Sequence, residues 1–101
     1  NKVKSVNYPF SKSHPQYELA KKQQKMGGNV LSFYIKGDKK TAFNFINKLK
    51  MIDICNNLGD TKSLIVHPST TTHRILTDDE RNNQNIFDNL VRLSIGLEDF
   101  E

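Results

Sequence analysis

The segment NVLSFYIKG, residues 29–37, alternates with a period of two. Leu31, Phe33 and Ile35 fall on one side of an extended chain; Val30, Ser32, Tyr34 and Lys36 fall on the other. The first side is wholly apolar, so the segment reads as a strand with one buried face. Such a strand needs neighbours and a covering layer. Two apolar runs supply neighbours: SLIVH at 63–67, ended by Pro68, and LVRLSI at 90–95, ended by Gly96. Ile52 to Cys55 is a shorter candidate. The cover is expected over residues 39–51, where Ala42, Phe45, Ile46 and Leu49 recur at helical spacing and Phe43 widens the stripe. Asp38 is placed to cap that helix, and Lys48 and Lys50 suit its C-terminal end.

The remaining segments fit around this frame. Ser13 or His14 can cap a helix with Pro15 in its first turn, Glu18 near its start, and Lys21, Lys22 and Lys25 near its end. Gly27-Gly28 is expected to stop it. Thr77-x-x-Glu80 is a capping-box pattern, so a short helix is expected from Asp78, limited by Asn82, Asn83 and Asn85. Residues 1–13 read as an extended lead-in anchored by Val3, Val6, Tyr8 and Phe10. Leu97-Glu98-Asp99 reads as the opening of another element. The fold class is therefore α/β in two layers: a small, mainly antiparallel sheet with helices packed on one face.

With 101 residues, the chain is one domain. The net charge of +4 invites a nucleic-acid reading. The lysines are scattered along the first half, however, in runs of no more than two and without interleaved aromatics, so a solvated basic surface is expected and no nucleic acid. Cys55 is the single cysteine and lies in the apolar setting MIDIC, which predicts a buried, inert thiol. No signal-peptide pattern or membrane-length apolar stretch is present, so no membrane partner and a cytoplasmic location are expected. The chain opens on NKVKSV without a Met and closes on LEDFE; both ends are expected to be cuts in a longer protein.

Arg92 is the residue with most to say about chemistry. Val91, Leu93 and Ile95 share one face of the last strand, and Leu90, Arg92 and Ser94 the other. A guanidinium in mid-strand is either exposed or paired. It is thus a surface arginine or a clamp for a carboxylate or phosphate. Asn57-Leu58-Gly59-Asp60 is a turn or a close backbone approach to a ligand, since glycine permits both. The stretch HPSTTTHR, residues 67–74, gathers hydroxyls and imidazoles, but His67 and His73 lack the spacing of a helical ligand pair and no carboxylate lies between them. No metal site and no nucleophile–base–orienter set is legible. Hydroxyls in such a loop usually satisfy their own backbone. The residues by themselves indicate an α/β domain with one suggestive arginine.

Taken together, VNYP, SHPQYELAKKQ, GGNVLSF, NNLGDTKSLIVHPSTTTH and LVRLSIGLED resemble the C-terminal domain of the pyridoxal-phosphate-dependent enzymes of cysteine and methionine metabolism, a fold-type I family. The likeness runs from about Val6 to the last residue. Within that family, NLGD with KSL and HP-x-x-TTH is most similar to the O-acetylhomoserine sulfhydrylase branch, with cystathionine γ-synthase and the methionine and cystathionine γ-lyases as sister branches. Asn57 stands where those sisters carry a serine, Thr71 where they carry a methionine, Ser69 in place of the usual alanine, and Phe10 where a glycine usually follows YP.

The resemblance implies roles. Arg92 matches the arginine that binds the substrate α-carboxylate, and Asn57 and Leu58 match the pair whose backbone N–H groups help to hold it. Thr72 is implied to lie close to the substrate, with His67 and His73 as hydrogen-bonded supports. The lysine that carries pyridoxal 5'-phosphate, the acid paired with its pyridine nitrogen and the phosphate cradle are implied to lie in an N-terminal domain. This chain then holds no catalytic, cofactor-binding or metal residue and is inactive alone. Residues 1–13 become a lead-in from that large domain and 14–101 a C-terminal substrate-binding domain, cut at both ends. The implied partners are an amino-acid substrate, the chain's own N-terminal domain and three further copies in a homotetramer. A reading of another class stays open: a free-standing module that uses Arg92 to bind an anionic partner.

Overall fold

The computed structural model describes residues 2–99. In chain order the elements are β1 (Val3–Asn7), α1 (Tyr17–Gln23), β2 (Val30–Ile35), α2 (Lys39–Asn47), β3 (Asp53–Ile54), β4 (Leu64–Val66), a 3-10 turn (Pro68–Thr70), α3 (Asp78–Asn83) and β5 (Leu90–Ser94). The strands form one sheet in the order β1-β2-β5-β4-β3. Every neighbouring pair is antiparallel except β3 with β4. The last strand in sequence is therefore the middle strand in space.

The alternation in β2 sorts as its pattern dictates. Phe33 and Ile35 join Ala42 and Ile46 of α2, Ile65 of β4 and Val91 of β5 in one buried cluster, with Leu31, Phe45, Leu49 and Leu93 packed around it. Phe33 and Phe45 meet edge to face at 6.0 Å, a favoured geometry for two aromatic quadrupoles. Asp38 caps α2 by accepting from the Thr41 amide at 2.9 Å. Removal of this apolar surface from water is the main force holding α2 to the sheet. Thr77 and Glu80 form the reciprocal capping box of α3.

Several local expectations are corrected. Residues 1–13 are more than a lead-in: Val3–Asn7 is an edge strand paired with β2. Helix α1 begins at Tyr17, because the residues before it make successive turns and the His14 ring accepts the Gln16 amide. It ends at Gln23, since Gln24 is already extended, and Lys25 lies outside it. Helix α2 closes at Asn47 instead of running to 51, as Lys48 and Leu49 tighten into i→i+3 bonds. Ile95 lies beyond the end of β5 and is exposed. Cys55 is half-buried, not buried. Residues 97–99 open no helix or strand; Phe100 and Glu101 lie outside the described residues.

Candidate functional site

β5 places Arg92 at the centre of the sheet, flanked by Ser32 of β2 and Val66 of β4. Val91 and Leu93 face α2, so Arg92 stands on the opposite face with Ser94 and Leu90. The side chain is half-buried. Its Nη2 donates to the Asn56 carbonyl at 2.9 Å. Among the described residues no carboxylate forms an ion pair with it. A guanidinium offers several N–H donors in a planar fork, so most of its capacity stays open. It borders a hollow of about 280 Å³ shared with Asn7, His14 and Ser32.

The connection from β3 to β4, residues 55–63, crosses this same face. Asn56 meets Arg92, and the Gly59 amide donates to the Ser94 hydroxyl at 2.9 Å. Gly59 sits at φ +76°, a conformation that glycine reaches without steric cost. Asn57 and Leu58 are held between these two anchors and are exposed. Their own amide N–H groups find no acceptor among the described residues. A guanidinium with free donors is the group type that binds a carboxylate or phosphate, and main-chain N–H groups can add to such binding. Arg92 is thus bonded to Asn56, the residue that precedes Asn57 and Leu58 in the chain.

Among the described residues no hydrogen bond links Thr72 to Arg92, Asn57 or Leu58. Its hydroxyl pairs with the neighbouring His73 Nδ1 at 2.9 Å, and it borders no hollow near Arg92. The polar stretch around it satisfies itself. His67 is 3% exposed and lies edge-on to Phe43 of α2, with ring centroids 4.8 Å apart. Its Nε2 donates to the Asp88 carbonyl at 2.6 Å, because a carbonyl only accepts. Its Nδ1 pairs with the Thr70 hydroxyl at 2.7 Å. Ser69 donates to the Asp88 carboxylate and Thr71 to the His67 carbonyl. No cluster of metal-ligating side chains exists among the described residues.

Three supporting residues escape the sequence reading. Arg81 Nη1 donates to the carbonyls of His73, Arg74 and Leu76, closing the bend before α3, while Nη2 pairs with Asp78. Ser94 holds Gly59. Glu98 accepts from the Ser63 amide at 2.5 Å and the Ser63 hydroxyl at 2.7 Å. Those two bonds hold the Glu98 carboxyl below the usual carboxylate range, with Lys62 adding a smaller charge contribution. The available signal was the spacing Arg92, Ser94, Gly96, Glu98: each of these residues falls two positions after the last.

The whole described chain and its ends match one family, the Cys/Met metabolism PLP-dependent enzymes, over residues 1–101. An O-succinylhomoserine sulfhydrylase of Mycobacterium tuberculosis is 48% identical over 101 residues, 96% of this chain and 25% of that protein. An L-methionine gamma-lyase of Fusobacterium nucleatum is 46% identical over 100 residues, 99% of this chain and again 25% of the relative. A putative O-acetylhomoserine (thiol)-lyase of Campylobacter jejuni, solved with N'-pyridoxyl-lysine-5'-monophosphate, superposes with a TM-score of 0.90 at 39% identity. That match covers 97% of this chain and 24% of the solved one. The chain thus spans about a quarter of the length of these relatives.

Proposed function

Because this chain belongs to the PLP-dependent enzymes of Cys/Met metabolism, we propose that it is the C-terminal, substrate-binding domain of an O-acetylhomoserine sulfhydrylase. In that reaction sulfide displaces acetate from O-acetylhomoserine to give homocysteine. The observation that carries the proposal is Arg92: a half-buried guanidinium with no carboxylate partner among the described residues, bonded to the Asn56 carbonyl next to Asn57 and Leu58 in the chain. Arg92 grips the α-carboxylate through its fork, and the two amides complete the grip. This fixes one end of the amino acid and so orients its Cα relative to the cofactor.

The chain's own residues do not fit the cofactor. Every described lysine is exposed, and none stands in the hollow beside Arg92. The electron-withdrawing chemistry belongs to pyridoxal phosphate, which the family requires and which the N-terminal domain of the whole enzyme holds. The full protein is proposed to be a cytoplasmic homotetramer.

A second reading concerns the leaving group. The Mycobacterium tuberculosis relative is a sulfhydrylase of O-succinylhomoserine, which favours succinate as the displaced acid. The Fusobacterium relative points to a γ-elimination of methionine by the same seat. The full-length holoenzyme, given sulfide with each acyl ester and separately given methionine or cystathionine alone, distinguishes these. Homocysteine formed fastest from the acetyl ester supports the proposal. Preference for the succinyl ester or for unaided breakdown of methionine overturns it in favour of that branch.

A further inference from the structure

Arg92, Ser94, Gly96 and Glu98 follow one another at intervals of two along β5 and the segment beyond it, and each engages the β3–β4 connection, the last two at the same residue, Ser63. Arg92 donates to Asn56, and Ser94 accepts from Gly59. The Gly96 amide donates to the Ser63 hydroxyl at 2.8 Å, and the Leu97 amide to the Thr61 carbonyl at 2.6 Å. Glu98 then takes the Ser63 amide and hydroxyl. A Cβ at Gly96 would fall within 2.5 Å of the Ser63 nitrogen and the Lys62 carbonyl carbon, so the two backbones touch there without a side chain between them. Ser94 is 2% exposed and Ser63 is 5% exposed. Their hydroxyls serve as buried fastening points.

Residues 56–60 have no helix or strand of their own. A loop of that kind holds its amides to the tolerance a binding site needs only if other elements fix it. The fastening points at Asn56, Gly59, Thr61 and Ser63 bracket Asn57 and Leu58 from both sides. We propose that Ser94 and Glu98 are positioning residues for substrate: by pinning this connection to β5 and its extension, they set the Asn57 and Leu58 amides at the height where they and Arg92 meet one carboxylate. Neither touches the substrate. The proposal rests on the carboxylate-seat reading given above.

The test uses the full-length holoenzyme. Glu98→Ala should raise KM for the amino-acid substrate about 10-fold and Ser94→Ala about 3-fold, the range expected for a charge-assisted and a neutral hydrogen bond. In both, kcat and the KM for sulfide should stay within about twofold, because the reacting atoms are not displaced from the cofactor once the substrate is bound. Glu98→Gln keeps one acceptor for the Ser63 amide and should recover most of the loss. A merely structural role would lower kcat and KM performance together and would show no rescue. If Glu98→Ala does not assemble, Ser94→Ala and Glu98→Gln decide by the same split. Unchanged KM in these variants, alongside a raised KM in Arg92→Ala, overturns the positioning role and leaves the seat standing. Unchanged KM in all of them, Arg92→Ala included, overturns the seat itself.

Discussion

Two polar regions of this domain behave in opposite ways. Residues 67–74 hold a concentration of hydroxyls and imidazoles, and their side chains find partners: His67 with Asp88 and Thr70, Ser69 with Asp88, Thr71 with His67, Thr72 with His73. Residues 56–59 are chemically plain, yet among the described residues the Asn57 and Leu58 amides find no acceptor, and the arginine bonded to Asn56 has no counter-ion. The first region holds structure, and the second is the part to which the proposed function assigns the substrate carboxylate. A polar group already bonded to the protein must break that bond before it serves a substrate, whereas a donor bonded only to water gives up no protein contact on binding. Density of reactive side chains is thus a poorer guide than hydrogen-bonding capacity left over.

The largest effect should come from the self-satisfied region and should appear in stability. His67→Ala removes two hydrogen bonds, leaves the Asp88 carbonyl without its donor, and opens a void against Phe43. Together these should cost about 2–4 kcal/mol. Urea unfolding of the chain measures it. A loss under about 0.5 kcal/mol would break the contrast, because the buried ring would then be dispensable. The next effect belongs to the other region and should appear in binding. Arg92→Ala in the full-length enzyme should raise the amino-acid KM about 10- to 100-fold, corresponding to about 1.5–3 kcal/mol for a bidentate charged contact. Unfolding of the same variant should change by less than about 1 kcal/mol, since among the described residues the Arg92 side chain is hydrogen-bonded to Asn56 alone. An unchanged KM would show the arginine to be a surface residue after all.

A smaller effect follows from pH. Glu98 has its pKa lowered in the folded chain, first by the Ser63 amide and then by the Ser63 hydroxyl. A depressed carboxylate contributes stability that is fully present above its unfolded pKa, roughly 4.3, and is lost as pH falls through the lower folded value. Asp60 shifts the same way through the Lys62 amide and would contribute in the same window, so the useful quantity is a difference. The gap in melting temperature between the parent chain and Glu98→Ala should be constant from neutral pH down to about 5 and narrow as pH falls below about 4.3 toward the lower folded value. A gap that does not narrow at all on acidification below about 4.3 would mean that Glu98 acts by packing and not by charge.

Most of the architecture was legible because it depends on periodicity. The β2 alternation and the α2 stripe name their own buried faces, and Thr77 with Glu80 announces α3. What escaped was long-range or local in a way that patterns do not record. Little in residues 3–7 says that they pair with β2, since apart from Val3, which packs on the core, their side chains are exposed and the pairing rests on backbone bonds. The early end of α2 depends on i→i+3 bonds that leave no mark in composition. At the site, the face carrying Arg92 and Ser94 followed from alternation, but the crossing of residues 55–63 over that face did not, because it needs the parallel pairing of β3 with β4. Glu98 was read as the start of an element, and it is in fact the clasp on Ser63.

The smallest expected effect sharpens the comparison most, because it concerns a residue whose two readings disagree. Family likeness places Thr72 near the substrate; its surroundings place it among the self-satisfied groups. Its hydroxyl is exposed, is bonded to the adjacent His73 ring and makes no bond to residues 56–59 or to Arg92. An exposed hydroxyl of this kind trades one partner for water at little cost. Thr72→Ala should therefore leave the amino-acid KM within about twofold and the unfolding free energy within about 0.5 kcal/mol. A rise in KM approaching that of Arg92→Ala would mean that the bend swings its hydroxyl onto the bound substrate, and that capacity already paired within the protein can still be recruited. The rule drawn from residues 67–74 would then fail at the residue where it is easiest to check.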